Sequence, residues 1–213
     1  MKVIEINNVS KCFGSNILFQ NISLSIEKGT CVGFMGENGV GKSVLFKMIA
    51  GLVDADSGEI FVDNKLVGKD KNFPTNIGFF VNNPSFVDIF DGYNNLKMLA
   101  EINNKIDNEK IRDTMRLVGL DPDNKTKFKN YSTGMKQKLG IAQAIMEDQD
   151  LIILDEPFNT LDTNSNIEIK KLIKDLKKQN KTILLTSHQE EYLRELCDEI
   201  YIIEEKNIRQ SDM

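Results

Sequence analysis

The sequence predicts an α/β fold, with an antiparallel β region at its N-terminal end and a helical block inserted into it. Three observations carry this. The first 34 residues read as short strands; a glycine-rich loop follows, flanked by a strand pattern and a helix pattern; and residues 84–148 are helical in periodicity before strands and helices alternate again.

The elements follow in order. Val3, Ile4 and Ile6, then Ile17 to Phe19, then Ile22, Leu24 and Ile26 form short alternating runs, with turns at Gly14-Ser15-Asn16 and Lys28-Gly29. Residues 30–35 are an apolar strand, and residues 44–51 a helix ending near Gly51. Residues 59–63 form a strand closed by Asn64-Lys65, and residues 77–81 a buried strand bounded by Asn82-Asn83-Pro84. In the helical block, Leu96, Leu99 and Ala100 share one face, as do Ile111, Met115 and Val118, and then Leu139, Ala142, Gln143 and Met146. Residues 151–154 make a strand. Ile169, Leu172, Ile173 and Leu176 mark an amphipathic helix with Asn164 or Ser165 as its cap, residues 182–186 a strand, residues 190–197 a helix and residues 200–203 a last strand. The chain is expected to be one unit over residues 1–213, with 1–83 and 149–213 as the α/β core and its β region, and 84–148 as the inserted helical subdomain.

Composition narrows the function classes. A chain of 213 residues with 40% hydrophobic and 28% charged residues can bury a core and stay dispersed in water. A formal charge of −5 argues against a dedicated nucleic-acid binder, so no nucleic-acid partner is expected. Cys12, Cys31 and Cys197 are scattered, with no metal-ligand spacing, and suit a reducing compartment. The N-terminus alternates like a strand and lacks a signal-peptide apolar block, and no apolar run approaches the roughly 20 residues of a membrane helix. Any work at a membrane therefore calls for a partner.

The chemistry begins at Gly36-Glu37-Asn38-Gly39-Val40-Gly41-Lys42-Ser43, which fits the phosphate-cradling loop G-x-x-x-x-G-K-[ST]. Its glycines let successive backbone N–H groups turn onto phosphate oxygens, Lys42 supplies a point charge for the β- and γ-phosphates, and Ser43 offers a hydroxyl to Mg²⁺. The following helix, beginning near Val44, presents its positive end to the anion. The apolar run Leu151-Ile152-Ile153-Leu154 ends in Asp155-Glu156-Pro157. A strand delivering Asp155 to a phosphate site suits Mg²⁺, and Glu156 beside it can accept a proton from an attacking water. Ser132, in Tyr131-Ser132-Thr133-Gly134-Met135, is a natural N-cap whose helix end can also face a phosphate. His188, the sole histidine, follows a strand whose C-terminal end is where ligands gather in such sheets.

Taken together these motifs resemble the nucleotide-binding subunit of ATP-binding-cassette (ABC) transporters, in family order and over essentially the whole chain. Gly36 to Ser43 resembles the Walker A motif, Tyr131 to Met135 the signature motif, Leu151 to Glu156 Walker B with its glutamate, Asn159-Thr160-Leu161-Asp162 the D-loop, His188 the switch histidine, and Phe13 the aromatic that stacks on adenine. The style is similar to the ABC-2 group of bacitracin- and lantibiotic-type exporters. The resemblance implies a P-loop NTPase core of RecA type, ATP and Mg²⁺ as ligands, and a head-to-tail dimer with a second copy or another cassette. It also implies a separate transmembrane permease that holds the chain at the cytoplasmic face of the membrane. It further implies nucleotide contacts from Phe13, Gly36, Asn38, Gly39, Gly41, Lys42, Ser43, Val44, Asn82, Ser132, Gly134 and Asp162, metal contacts from Ser43, Asp155 and Asn82, and catalysis by Glu156, His188 and Lys42. Three departures stand out: Asn82 replaces the family glutamine with a side chain one methylene shorter, Thr133 replaces the first signature glycine, and Met135 the signature glutamine. Two other readings compete, a non-transport ABC ATPase and a nucleotide-gated regulatory protein. Co-purification with a membrane protein separates the first, and steady-state turnover the second. Phe86, Val87, Ile89 and Phe90 are expected to receive the permease, at least two of them also covering the core.

Overall fold

A computed structural model describes residues 1–68, 73–81 and 84–211 of the chain. Two sheets organise it. A four-stranded antiparallel sheet has the order β2-β1-β4-β5, from β1 (Lys2–Phe13), β2 (Asn16–Glu27), β4 (Ser57–Val62) and β5 (Lys65–Leu66). A six-stranded sheet has the order β10-β9-β3-β8-β7-β6, from β3 (Cys31–Met35), β6 (Ile77–Phe80), β7 (Leu151–Leu154), β8 (Thr182–Thr186), β9 (Glu199–Glu204) and β10 (Asn207–Gln210). All neighbours in the second sheet are parallel except β10 with β9.

The helices are α1 (Lys42–Ile49), α2 (Gly92–Asn103), α3 (Asn108–Leu117), α4 (Thr133–Ile145), α5 (Thr163–Lys178) and α6 (Glu190–Leu196). Helices α2 to α4 lie between β6 and β7 in the chain. The parallel strands β3 and β7 are apolar throughout because both faces are covered. Ile152, Leu154, Ile183 and Leu185 face a core shared with α2 to α6. Leu151, Ile153, Leu184, Val32 and Phe34 face a second core built from α1 and the antiparallel sheet.

Several local expectations change. Ile17–Phe19 and Ile22–Ile26 are one strand, β2, because Asn8 and Asn21 take left-handed conformations (φ 50° and 52°) that absorb bulges without ending the ladder. Asp63 and Asn64 (φ 48° and 60°) form a tight hairpin turn into β5, and Glu205-Lys206 (φ 47° and 65°) turn β9 into β10, so residues 200–203 are not the last strand. The cap of α5 is Asp162, which accepts from the Ser165 N–H at 2.8 Å, rather than Asn164 or Ser165. Asp162 wins because it holds an extended backbone (φ −74°, ψ 169°) at the point where the helix begins. Of Phe86, Val87, Ile89 and Phe90, Phe86 packs on the core, against Phe128 at 5.1 Å between ring centroids, while the other three are exposed. One such residue suffices because the segment is pinned through its backbone: Asn95 accepts from the Val87 N–H and donates to the Val87, Phe90 and Asp91 carbonyls.

Candidate functional site

Three parallel strands deliver the site. β3 runs into residues 36–41, β7 into Asp155 and Glu156, and β8 into Ser187 and His188, so the three loops emerge at one edge of the sheet. A cavity of 260 Å³ opens there, lined by Leu18, Asn38, Gly39, Gly41, Lys42, Ser43, Val44, Asp155, Glu156, Asn159 and His188.

The glycine loop is shaped by its surroundings. Gly41 sits at φ 116°, and a Cβ there would come within 2.8 Å of the Phe19 ring. The loop therefore rests on β2, and only glycine fits. Lys42 is buried at the start of α1, and its ammonium donates to the Gly36 and Glu37 carbonyls at 2.7 and 3.1 Å. The charge is thus held over the loop, where an anion would meet it.

The acidic side is a connected network. The Ser43 hydroxyl donates to Asp155 Oδ2 at 2.5 Å, and the Thr186 hydroxyl donates to Asp155 Oδ1 at 2.8 Å. Thr186 also accepts from the Glu156 N–H at 2.7 Å. Glu156 is left-handed (φ 54°), an uncommon conformation for this residue type. Its Oε2 accepts from the His188 backbone N–H at 3.1 Å, and its Oε1 lies 3.4 Å from His188 Nε2. Oε1 is buried, with no hydrogen-bond donor among the described residues. Burial pushes the Glu156 carboxyl up from the ordinary carboxylate range, against the opposing pull of His188 and Lys42.

Ser43 and Asp155 provide hard oxygen ligands, the kind Mg²⁺ takes together with phosphate oxygens and water. Among the described residues no group of three or more His, Cys, Asp and Glu side chains could hold a metal. The donor set therefore fits an ion shared with a bound phosphate and not a cage made by protein alone.

The structure brings together Asn38, Gly39, Gly41, Lys42, Ser43, Val44, Asp155, Glu156 and His188. Gly36 lies against them through its carbonyl. Phe13 is not in the cavity lining. It stands half-exposed at the tip of the β1–β2 hairpin with the Lys11 ammonium 4.9 Å over its ring. Ser132 and Gly134 are not in the cavity lining; Ser132 caps α4 by accepting from the Met135 N–H at 3.1 Å. Asp162 faces α5, both carboxylate oxygens engaged by Ser165. Asn82 lies outside the described residues. Sequence reasoning missed Leu18 and Thr186, and named Asn159 only as part of the D-loop without giving it a place in the cavity. Thr186 left one signal, a hydroxyl closing the apolar run Ile183-Leu184-Leu185 at the loop end of its strand.

A family model described as "ABC transporter" matches residues 19–159. The chain belongs to the ABC transporter family. It is 36% identical over 196 residues to the uncharacterized ABC transporter ATP-binding protein YybJ of Bacillus subtilis (strain 168), covering 92% of this chain and 90% of that protein. It is 33% identical to the bacitracin transport ATP-binding protein BcrA of Enterococcus faecalis, over 98% of this chain and 70% of the relative. The methionine import ATP-binding protein MetN of Clostridium tetani (strain Massachusetts / E88) is 32% identical, over 97% of this chain and 68% of that one. The fold of the ABC cassette MJ0796, solved as a dimer in a post-hydrolysis state bound to ADP and Pi, superposes with a TM-score of 0.88 at 21% identity, covering 98% of both chains.

Proposed function

We propose that this cassette is the motor of an ABC exporter, hydrolysing ATP with Mg²⁺ and driving a separate membrane permease from the cytoplasmic face. The observation that carries the catalytic part is the convergence on one cavity of the buried Lys42 ammonium, the Ser43–Asp155 oxygen pair and the donorless Oε1 of Glu156. Lys42 and the loop amides stabilise charge on the transferring phosphoryl group. Ser43 and Asp155 would hold Mg²⁺, which neutralises phosphate charge when bound. Glu156 accepts the proton of the attacking water through Oε1, and His188, whose Nε2 lies 3.4 Å from that oxygen, contacts the γ-phosphate.

The remaining roles complete the reading. Phe13 stacks on adenine. Ser132 and Gly134, which do not line the cavity, would meet the nucleotide held by a second cassette. Asp162 orders the segment between Glu156 and that face by fastening α5. Residues 84–148 form the inserted subdomain, and a groove of 390 Å³ beside Phe86, Asp88 and Phe128 receives the permease. Export is favoured because relatives named for bacitracin transport and linearmycin resistance match at 33% and 31%. The methionine import relative has the same order of identity, so a transport assay in inverted vesicles sets the direction.

Glu156→Gln tests the core of the proposal. The amide keeps the shape but cannot take the proton. Steady-state turnover should fall to background while ATP binding persists, and size exclusion with ATP and Mg²⁺ should show a trapped dimer. Turnover at the wild-type rate would remove Glu156 from the mechanism.

A further inference from the structure

Gln137 is a buried polar side chain that none of the roles above uses. It lies on α4, five residues after the Ser132 cap, and is 3% exposed. Its amide Nε2 donates to the backbone carbonyl of Glu156 at 2.8 Å. The Glu156 peptide is thereby held from both sides: its N–H by the Thr186 hydroxyl on β8, its carbonyl by Gln137 on α4 and, more weakly, by the Asn159 N–H at 3.2 Å. Between these anchors the residue takes φ 54°. A left-handed non-glycine residue persists only where its surroundings over-determine it, and the two side-chain bonds supply that constraint.

The same turn continues into α4 from a second direction. Thr160 is also left-handed (φ 64°), and a Cβ added to Gly134 would lie 3.3 Å from the Thr160 carbonyl. Residues 156–160 are thus seated on the first two turns of α4. Gln137 also lines the groove beside Phe86 and Phe128. One side chain therefore touches the groove on one side and the Glu156 backbone on the other.

We propose that Gln137 is a positioning residue for Glu156, its amide fixing the peptide that aims Oε1 into the cavity and tying that aim to the placement of α4. This rests on the reading of Glu156 as the proton acceptor. Because the signature end and Gln137 belong to one rigid helix, any displacement of α4 at Ser132 or at the groove reaches Glu156 through this bond. A displacement of the carboxylate by about 1 Å is enough to cost up to about 100-fold in rate.

The test uses the full chain with ATP and Mg²⁺. Gln137→Met preserves the volume and removes the donor. It should lower kcat tenfold or more, leave KM and nucleotide affinity within twofold, and leave the circular dichroism unchanged. In the Glu156→Gln background, single-turnover hydrolysis should not fall further when Gln137→Met is added, because the group it positions is already gone. A residue of purely structural importance would instead reduce both backgrounds alike. If Gln137→Met does not fold, Gln137→Glu, with the same shape and a polar end, carries the same comparison; failure of both to fold assigns Gln137 to packing and overturns the proposal. A kcat within twofold of wild type, or an additive loss in the double variant, also overturns it. Should Glu156→Gln itself keep turning over, the proton-acceptor reading fails; an inactive Glu156→Gln beside an unaffected Gln137→Met defeats the positioning role alone.

Discussion

At the scale of single residues, the site depends on groups held in place before any phosphate arrives. Lys42 illustrates this. Its ammonium is buried, yet its partners are two carbonyls of its own loop, not a carboxylate. Neutral carbonyls leave the positive charge uncancelled and available to a phosphate. Lys42→Ala should weaken ATP binding about 10- to 100-fold, equivalent to about 1.4–2.8 kcal/mol. It should also abolish turnover with little change in thermal midpoint, since the side chain bridges loop carbonyls that water can reach once it is gone. Isothermal titration beside a melting curve checks both parts; unchanged affinity would displace the phosphate cradle from this loop.

At the scale of elements, two contacts fix how the pieces meet. The first ties the β1–β2 hairpin to the loop after α1. Asp56 accepts from the Lys11 ammonium at 2.7 Å and from the Cys12 N–H and Sγ at 2.7 and 3.0 Å. These bonds, Lys11 first, hold the Asp56 carboxyl down from 3.8 to about 2. A depressed carboxyl stabilises the fold above its unfolded value and loses that contribution as pH falls through the folded one. Asp56→Asn should therefore be less stable than wild type at pH 5–7, with the gap closing between pH 3.8 and about 2. Urea midpoints of the two proteins across that range measure it, and raised salt should narrow the gap because the Asp56 side chain is exposed to solvent. A gap independent of pH would mean that the ion pair contributes nothing. The second contact lets α4 lie on β6. A Cβ on Gly78 would sit 1.7 Å from the Ala144 carbonyl oxygen, a backbone atom that cannot swing aside. Gly78→Ala should cost about 3 kcal/mol or more, at the upper end for single substitutions. A change below about 1 kcal/mol in denaturant unfolding would show that helix and sheet are not packed this closely.

For the whole molecule, the proposed work at a membrane falls to a chain whose described helices include none long and apolar enough to cross one. Val87, Ile89 and Phe90 are 37%, 64% and 38% exposed just before α2, an apolar patch beside Asp88. Their backbone is anchored independently of their side chains: the Phe128 N–H donates to the Phe90 carbonyl at 2.8 Å, and Asn95 bonds the Val87 carbonyl. Phe90→Asp should accordingly fold and bind ATP as wild type, while co-sedimentation with membranes holding the permease is lost. Recruitment unchanged in the folded variant would move the interface elsewhere.

What the sequence determined by itself was whatever chemistry is written in contiguous residues. Gly36 to Ser43 carries its own turns and helix start. Leu151 to Glu156 carries a buried strand and the acids at its end, and Ser132 carries its cap. Each depends on local sterics and periodicity, so residue order is enough. The tertiary structure decided what depends on register. Ser43 meets Asp155 across 112 positions, and Thr186 meets Asp155 across 31, because β3, β8 and β7 are adjacent and in step. Leu18 and Phe19 shape the phosphate loop only because the antiparallel sheet packs against α1, which no periodicity in either segment announces. The fusion of two short runs into β2, the return of the chain through β10 and the choice of Asp162 over its neighbours as cap were likewise settled by pairing partners and backbone angles. Gln137 reads in sequence as one more polar residue on a helix; the fold alone places its amide against the one peptide that aims Glu156.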